Sequence, residues 1–556
     1  MSKRPISYEE AFNQSPPFVD VNLFTSDAAL QEAVRREGAA SAYEELRAFG
    51  ALAGSAAALE LGRLANEHPP ELENFDARGR RIDRVECHPA YHRLMELSTA
   101  QGLHCSTWEH LLAEASPTPG AHVARCAGSY MAAQMEAGHC CPITMTHAAV
   151  ASLRHSSDLV RDIVPKILSR AYDPTIAPIQ EKSAITLGMG MTERQGGTDV
   201  RTNTTRAEPI DGQGPGKAYA IMGHKWFLSA PMSDAFLVLA QAKGGLSCFF
   251  LPRLTPAGTL NGVKLQRLKD KLGNRSNASA EVEFDRAEAF LVGEEGRGIP
   301  TIIDMVTLTR LDCAVSSAGL MRQALARAIH HARHRSVFQK RLIDQPLMAQ
   351  VLADISLDVE AATALAFRLA RAFDGESEGE IAYRRLMTPV TKYWVCKTAP
   401  ALAYEAMECL GGNGYVEEGG FPRLYREVPV NAIWEGSGNV MCLDVLRVIE
   451  REPETLDKVL AEFGSVVSTE SRLKDAVSRI KELAKDARGD QALARTLVEL
   501  LALTAAGALL TIYAPRHVSD AFVATRLHGS WRNTYGAGLA HGDTRAILDR
   551  AAPQLS

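Results

Sequence analysis

Two changes of hydrophobic period divide this chain, and they limit its fold more than any other feature. From about residue 26 to 180, apolar residues recur at helical spacing, as in Ala42-Tyr-Glu-Glu-Leu-Arg-Ala-Phe49 and from Ala149 to Val164. After Glu181 the pattern shortens to β-prone runs at Ala218 to Ser229, Asp234 to Ala242, Leu246 to Leu251 and Ala280 to Phe284. Turn signals separate them: Gly212-Gln-Gly-Pro-Gly216, Pro231, Lys243-Gly-Gly245 and Asn274-Arg-Ser-Asn277. From Ile299 to about Arg451 long helical segments return, at Met305 to Arg335, Pro346 to Phe373, Glu380 to Leu410 and Gly438 to Ile449. A polar break at Glu450-Arg-Glu-Pro-Glu454 opens a last helical stretch. The pattern predicts an α+β chain, mainly α. Its parts are an extended arm (1–25) around Ser15-Pro16-Pro17, a helical domain (26–180), a β-sandwich or barrel (181–298), an antiparallel helical bundle (299–451) and a C-terminal helical extension (452–556). The arm is expected to lie on a neighbouring chain.

Composition removes several function classes. At 556 residues, with 46% hydrophobic and 23% charged residues, the chain has ample material for a folded core, and a disordered or fibrous chain is excluded. The apolar run from Leu500 to Tyr513 is shorter than the roughly 18–20 residues of a bilayer span and carries Thr504, Gly507 and Thr511, so it reads as a buried helix. Tyr8, Glu9 and Glu10 follow Met1-Ser-Lys-Arg-Pro where a secretory signal would be apolar, and a cytoplasmic location is expected. Ten cysteines without a C-x-x-C pair read as reduced, mostly buried thiols. Adjacent Cys140 and Cys141 beside His139, and the helical trio His330, His331 and His334, lack the ligand spacing of a metal site, so no metal is expected. A net charge of −5 argues against bulk attraction to nucleic acid but permits a local basic patch.

Gly188-Met-Gly190 is not a dinucleotide fingerprint, because residue 193 is Glu and no βαβ unit surrounds it. The segment Gly188-Met-Gly-Met-Thr-Glu-Arg-Gln-Gly-Gly-Thr-Asp-Val200 reads as a loop that either makes a tight turn or brings backbone N–H groups and hydroxyls to a flat ring or a phosphate. Three further segments accompany it in order: Gly223-His-Lys-Trp-Phe-Leu-Ser229, Glu408-Cys-Leu-Gly-Gly-Asn-Gly-Tyr415 and Ile433-Trp-Glu-Gly-Ser-Gly-Asn439. Together the four resemble the signatures of the acyl-CoA dehydrogenase family, over roughly residues 150 to 450. The arm, the wording of the motifs and the C-terminal extension resemble one branch of that family, the adaptive-response flavoproteins of bacterial alkylation-damage defence.

The resemblance implies FAD as cofactor. It implies that Met191 and Thr192 hydrogen-bond the flavin ring edge, that Gly197 and Thr198 approach the pyrophosphate, and that Phe227 and Ser229 lie against the ring. Most members have Trp where Phe227 stands; here Trp226 is out of register by one. Across a subunit interface, Arg335, Phe338, Glu408, Gly411 and Gly412 would hold the FAD of a neighbour, which requires at least a dimer; the family is usually tetrameric. Gln339 replaces a usual Gly, and Glu408 stands where many members have Gln, so this chain offers an acceptor only. Ser437 and Asn439 fall in flavin-contacting places. Glu435 matches the family's catalytic glutamate, which removes the proton α to a thioester while flavin N5 takes the β hydrogen as hydride. Taken as an isolated residue it is a structural loop glutamate. Arg310 lies 25 residues before Arg335, the spacing of the family's active-site-lining arginine; its other reading is an ion pair with Asp312 or Glu435 that shuts the pocket.

Residues 452 to 556 hold 13 basic and 13 acidic side chains, unevenly spread. Lys474, Lys481, Lys485 and Arg488 share one helical face, and Arg526 and Arg532 lie further on with His528, Trp531 and His541. Such a face is either an ordinary solvated helix or, as the resemblance to a branch associated with double-stranded DNA implies, a phosphate-binding surface. Two functions are therefore expected: an FAD-dependent enzyme acting on an acyl-CoA or related substrate, and a DNA-associated flavoprotein whose dehydrogenase chemistry is weak or vestigial.

Overall fold

The apolar stripes of the helical segments need one another to be buried, and they bury one another across the whole length of the chain. The computed structural model describes residues 13–113, 115–527, 535 and 543–553. Its N-terminal part contains α1 (Ala28–Arg36), α2 (Tyr43–Ala53), α3 (Ala56–Glu67), α4 (Pro89–Ala100), α5 (Ala121–Met135), α6 (Cys140–Leu153), α7 (Ser157–Asp162) and α8 (Val164–Ile167). Asp27 and Ser55 cap α1 and α3 by accepting from Leu30 and Ala58 N–H groups. The expected helix from Ala149 to Val164 is interrupted, because Ser156 is extended and the chain restarts there. A hairpin of β1 (Glu71–Phe75) and β2 (Arg81–Glu86) was not expected in this block; its polar strands lean on the β-domain, where Asn74 donates to the Leu265 carbonyl at 2.8 Å.

The β-domain comprises β3 (Leu187–Gly190), β4 (Arg206–Pro209), β5 (Ala218–Ser229), β6 (Ala235–Ala242), β7 (Gly245–Pro252), β8 (Val263–Leu268) and β9 (Ser279–Val292). The pairings β5–β9, β9–β7, β7–β6, β6–β4 and β4–β5 return to their start, so the sheet closes as a barrel. Strand β6 reads as continuously apolar because both its faces are covered. Phe236, Val238 and Ala240 point into the barrel core, while Ala235, Leu237 and Leu239 pack with α6 and the first turns of α9.

The helical bundle contains α9 (Gly298–His334), a short hairpin of β10 (Ser336–Val337) and β11 (Lys340–Arg341), α10 (Pro346–Asp374), α11 (Glu378–Glu408), α12 (Gly412–Tyr415), α13 (Phe421–Glu427) and α14 (Gly438–Arg451). The extension adds α15 (Glu454–Glu462), α16 (Gly464–Val467), α17 (Ser471–Asp486), α18 (Ala494–Tyr513), α19 (Arg516–Arg526) and α20 (Thr544–Ala551). One apolar core runs through all the helical blocks, including Leu30, Tyr130, Leu311, Leu357, Leu497 and Phe522. Helix α18 is long and apolar enough to cross a bilayer by length and composition alone, yet 61% of its most apolar window is buried against the rest of the fold. It packs as the centre of the extension against α10, α11, α14 and α17.

The described part of the arm lies on its own chain. Ser15 hydrogen-bonds the His331 ring at 3.1 Å, the Pro16 carbonyl meets His330 Nε2 at 2.9 Å, and the Phe18 ring sits 5.1 Å from that of His330. These contacts are with the end of α9, whose histidine-rich last turn supplies the partners.

Candidate active site

Glu435 occupies a turn between a short 3-10 segment, Val428–Ala432, and α14, with φ at +57°. A non-glycine residue in that region is strained by on the order of 1 kcal/mol or more, so the surroundings must hold it. Two buried cations do so. Lys392 of α11 donates to the carbonyls of Trp434 at 2.9 Å and Gly436 at 2.6 Å, and Arg310 of α9 donates to the carbonyl of Glu435 itself at 3.0 Å. The carboxylate accepts from the Thr309 hydroxyl at 2.7 Å. Burial pushes the Glu435 carboxyl above its ordinary range, opposed by the Thr309 bond and the charges of Lys392 and Arg310. It lines a small pocket together with Cys141, Met145, Thr309, Cys313 and Trp434.

Arg310 does not pair with either acid expected for it. Its guanidinium bonds Asp444 of α14 at 2.8 Å. Asp312 is taken by Arg125 in a bidentate pair, both bonds 2.7 Å, and by Thr144 at 2.8 Å. Arg310 thus braces the Glu435 turn against α14 and leaves the carboxylate free to face the pocket. Lys392 was missed at the sequence level, because a lysine at Thr391-Lys-Tyr393 looks like any solvated helix residue; its burial depends on a turn 42 residues away.

The second wall belongs to the β-domain. Gly188 to Gly190, read as loop, form β3, which runs parallel to β6, and the loop begins only at Met191. Its base is a buried ion pair, Glu193 with Lys225 at 2.7 Å, both side chains fully covered. Glu193 also accepts from the N–H groups of Thr204 and Thr205. Burial would raise the Glu193 carboxyl, but the Lys225 charge and these bonds hold it at about 2. The loop then folds back so closely that a Cβ on Gly197 would stand 2.3 Å from the Thr192 hydroxyl.

Trp226 N–H donates to the Thr192 carbonyl at 2.8 Å, which brings the loop and β5 to one edge. A bulge between Lys225 and Leu228 in the β5–β9 pairing resolves the register of the two aromatics. Lys269 lies over Trp226 at 3.5 Å and over Phe227 at 4.7 Å, with Arg194 and Arg267 near 6 Å from Trp226, and Phe227 remains 45% exposed. Among the described residues, the hydroxyls of Thr192, Thr198, Ser229 and Ser437 bond no protein group. Met191 and Trp434 both pack on the apolar cluster that joins α6, β3, β6 and the first turns of α9. An open edge with a half-exposed aromatic, unpaired hydroxyls and a glycine-tight loop fits a flat, hydrogen-bonding ring system with a phosphate tail.

Arg335, Phe338, Glu408, Gly411 and Gly412 lie elsewhere on the chain. The β10–β11 hairpin turns through Phe338 and Gln339, both at positive φ, and Phe338 is 93% exposed at its tip. Gly411 has φ +59° and ψ −140°, a conformation that a side chain disfavours, and a Cβ on it or on Gly412 would meet open space. Glu408 is exposed at the end of α11. Asn439 accepts from Arg495 at 2.8 Å, so the C-terminal extension touches the site, a contact with no local sequence signal.

Of the residues singled out for DNA, Lys474, Lys481, Lys485 and Arg488 are exposed along and just beyond α17. Lys481 is 3.6 Å from Asp457. Arg526 is corrected: it is buried, bonding Asp354 at 2.7 Å and Asp358 at 3.0 Å, and no phosphate can reach it. Arg532, His528, Trp531 and His541 lie outside the described residues. Among the described residues no cluster of His, Cys, Asp and Glu is placed to hold a metal ion.

Residues 13–174 match the adaptive response protein AidB N-terminal domain, residues 188–287 the acyl-CoA dehydrogenase middle domain and residues 296–450 the acyl-CoA dehydrogenase C-terminal domain. The chain is 48% identical over 514 residues to the putative acyl-CoA dehydrogenase AidB of Escherichia coli (strain K12), covering 92% of this chain and 93% of that protein. It is 30% identical over 555 residues to acyl-CoA dehydrogenase family member 11 of Caenorhabditis elegans, covering 93% and 87%. Among solved structures, Caenorhabditis elegans ACDH-11 in complex with C11-CoA superposes with a TM-score of 0.85 at 28% identity, covering 98% of this chain and 97% of that one. An acyl-CoA dehydrogenase complexed with FAD from Bacillus anthracis shares the fold, with a TM-score of 0.65 at 17% identity, covering 83% and 85%. The chain belongs to the acyl-CoA dehydrogenase family, in the branch that contains AidB.

Proposed function

We propose that this chain is an FAD-dependent oxidoreductase of acyl-CoA dehydrogenase type in which Glu435 removes the α proton of an acyl-CoA or related thioester. The observation that carries the reading is Glu435 itself: a carboxylate raised by burial, facing a pocket, and fixed through its own backbone by two buried cations. Met191, Thr192, Gly197, Thr198, Phe227, Ser229, Ser437 and Asn439 would hold the flavin and pyrophosphate of one FAD. Arg335, Phe338, Glu408, Gly411 and Gly412 would reach the FAD of a neighbour in a homotetramer. FAD, when bound, supplies the acceptor for the β hydrogen. The chain's own part is to aim the Glu435 carboxylate through Thr309, to hold the abstracted proton there, and to exclude water with Trp434, Met145 and Cys313. Glu435→Gln tests this: the protein should keep its FAD and lose acyl-CoA-dependent flavin reduction, and retained reduction removes Glu435 from the role.

A second reading, association with duplex DNA, is supported by the exposure of Lys474, Lys481, Lys485 and Arg488 on one face. Neutralising Lys481, Lys485 and Arg488 should weaken sequence-indifferent duplex binding; unchanged binding removes this face from the account.

A further inference from the structure

Residues 13 to 18 tie together the end of α9, the β10–β11 hairpin and the turn at Gly411–Asn413, and the last two adjoin residues given above to the neighbour's cofactor. The Asn13 side-chain amide pairs with both backbone groups of Ser336: its Oδ1 accepts from the Ser336 N–H at 2.7 Å and its Nδ2 donates to the Ser336 carbonyl at 2.8 Å. The amide therefore completes the edge of the β10–β11 hairpin as a further strand would. The Asn13 carbonyl accepts from Arg335 Nη1 at 2.7 Å. Next along, Gln14 accepts from Asn413, beside Gly411 and Gly412, at 2.9 Å. The arm thereby ties the Arg335–Phe338 hairpin to the glycine turn, where a Cβ on Gly411 or Gly412 would meet open space.

These contacts use residue types suited to the task. Asn13 sits at φ +58°, a region that asparagine tolerates better than other residues with a side chain. Arginine carries about 2 kcal/mol of side-chain rotamer entropy, and the bond from Nη1 restricts that freedom while leaving its other donors open. An arginine ordered in advance binds a phosphate without losing that freedom on binding.

We infer that Asn13 is a positioning residue for the cofactor: it sets the hairpin that presents Arg335 and Phe338 to the FAD of a neighbouring subunit. The inference rests on the assignment of Arg335 to that FAD. It is tested on full-length apoprotein by titration with FAD, read from the change in flavin fluorescence on binding, with light scattering and a thermal melt of each apo variant run alongside. Asn13→Ala should raise the FAD dissociation constant about tenfold, the equivalent of about 1.4 kcal/mol, with assembly and melting unchanged. Asn13→Gly, which keeps the carbonyl and the left-handed backbone, should fall between parent and Asn13→Ala. Unchanged or tighter FAD binding in Asn13→Ala, with Arg335→Ala weakened, overturns the inference alone, tighter binding meaning that the arm competes with the cofactor. Unchanged binding in Arg335→Ala overturns the assignment on which it rests.

Discussion

The ammonium of Lys392 donates to the carbonyls on both sides of Glu435, 2.9 Å to Trp434 and 2.6 Å to Gly436, and so fixes the backbone of the proposed base without touching its carboxylate. Lys392→Met removes both bonds and leaves two carbonyls short of a donor, each at a cost of about 1–3 kcal/mol if it stays buried. The turn at φ +57° should then relax. The expected result is a fall of about tenfold or more in the rate of acyl-CoA-dependent flavin bleaching, measured by anaerobic stopped flow, with FAD content unchanged.

The same pair sets a pH dependence. Burial raises the Glu435 carboxyl and the Lys392 charge lowers it. A base works only when ionised, so the acid limb of the bleaching rate should lie above the ordinary glutamate range. Lys392→Met should move that limb to still higher pH. Rates measured from pH 5 to 9 check both shifts, and a limb that moves down contradicts them.

Glu435 should also limit stability. A carboxyl raised in the folded state contributes fully below its unfolded pKa, about 4.3, and that contribution is lost as pH rises through the folded value. Glu435→Gln removes the loss. Its melting temperature at pH 8 should equal or exceed the parent's, and the difference should shrink toward pH 5.

Arg526 and the α17 cations should separate cleanly. Arg526→Met leaves Asp354 and Asp358 buried without their guanidinium and should destabilise the fold by about 3–5 kcal/mol in denaturant unfolding. Neutralising Lys481, Lys485 and Arg488 should leave stability within about 0.5 kcal/mol, as for other exposed sites. The slope of log affinity against log salt for duplex DNA should become shallower by about 0.9 for each phosphate that is no longer neutralised.

What could be read from the sequence was whatever repeats locally. The changes of period near residues 181 and 299 place the barrel between helices, and the motif around Glu435 marks the proposed base. The segments that escaped lack a local signature: β3 is four residues with two glycines, and β1 and β2 are polar strands paired mainly with each other. Long-range electrostatics escaped for the same reason. Arg526 meets Asp354 from 172 positions away, and Arg495 meets Asn439 from 56, so neither side chain's surroundings are written beside it. Glu193 was noticed only as a departure from a glycine pattern, and its buried partner Lys225 became visible only once β5 was laid against the loop.

Every prediction about the bleaching rate depends on Glu435 being the base of a working flavin-dependent dehydrogenase site. Anaerobic titration of the purified yellow protein with straight and branched acyl-CoAs, following absorbance near about 450 nm, tests it most directly. At least one acyl-CoA should bleach the parent protein, and none should bleach Glu435→Gln carrying the same amount of FAD. A parent protein that no acyl-CoA bleaches, or a Glu435→Gln variant that bleaches as fast as the parent, would contradict that role.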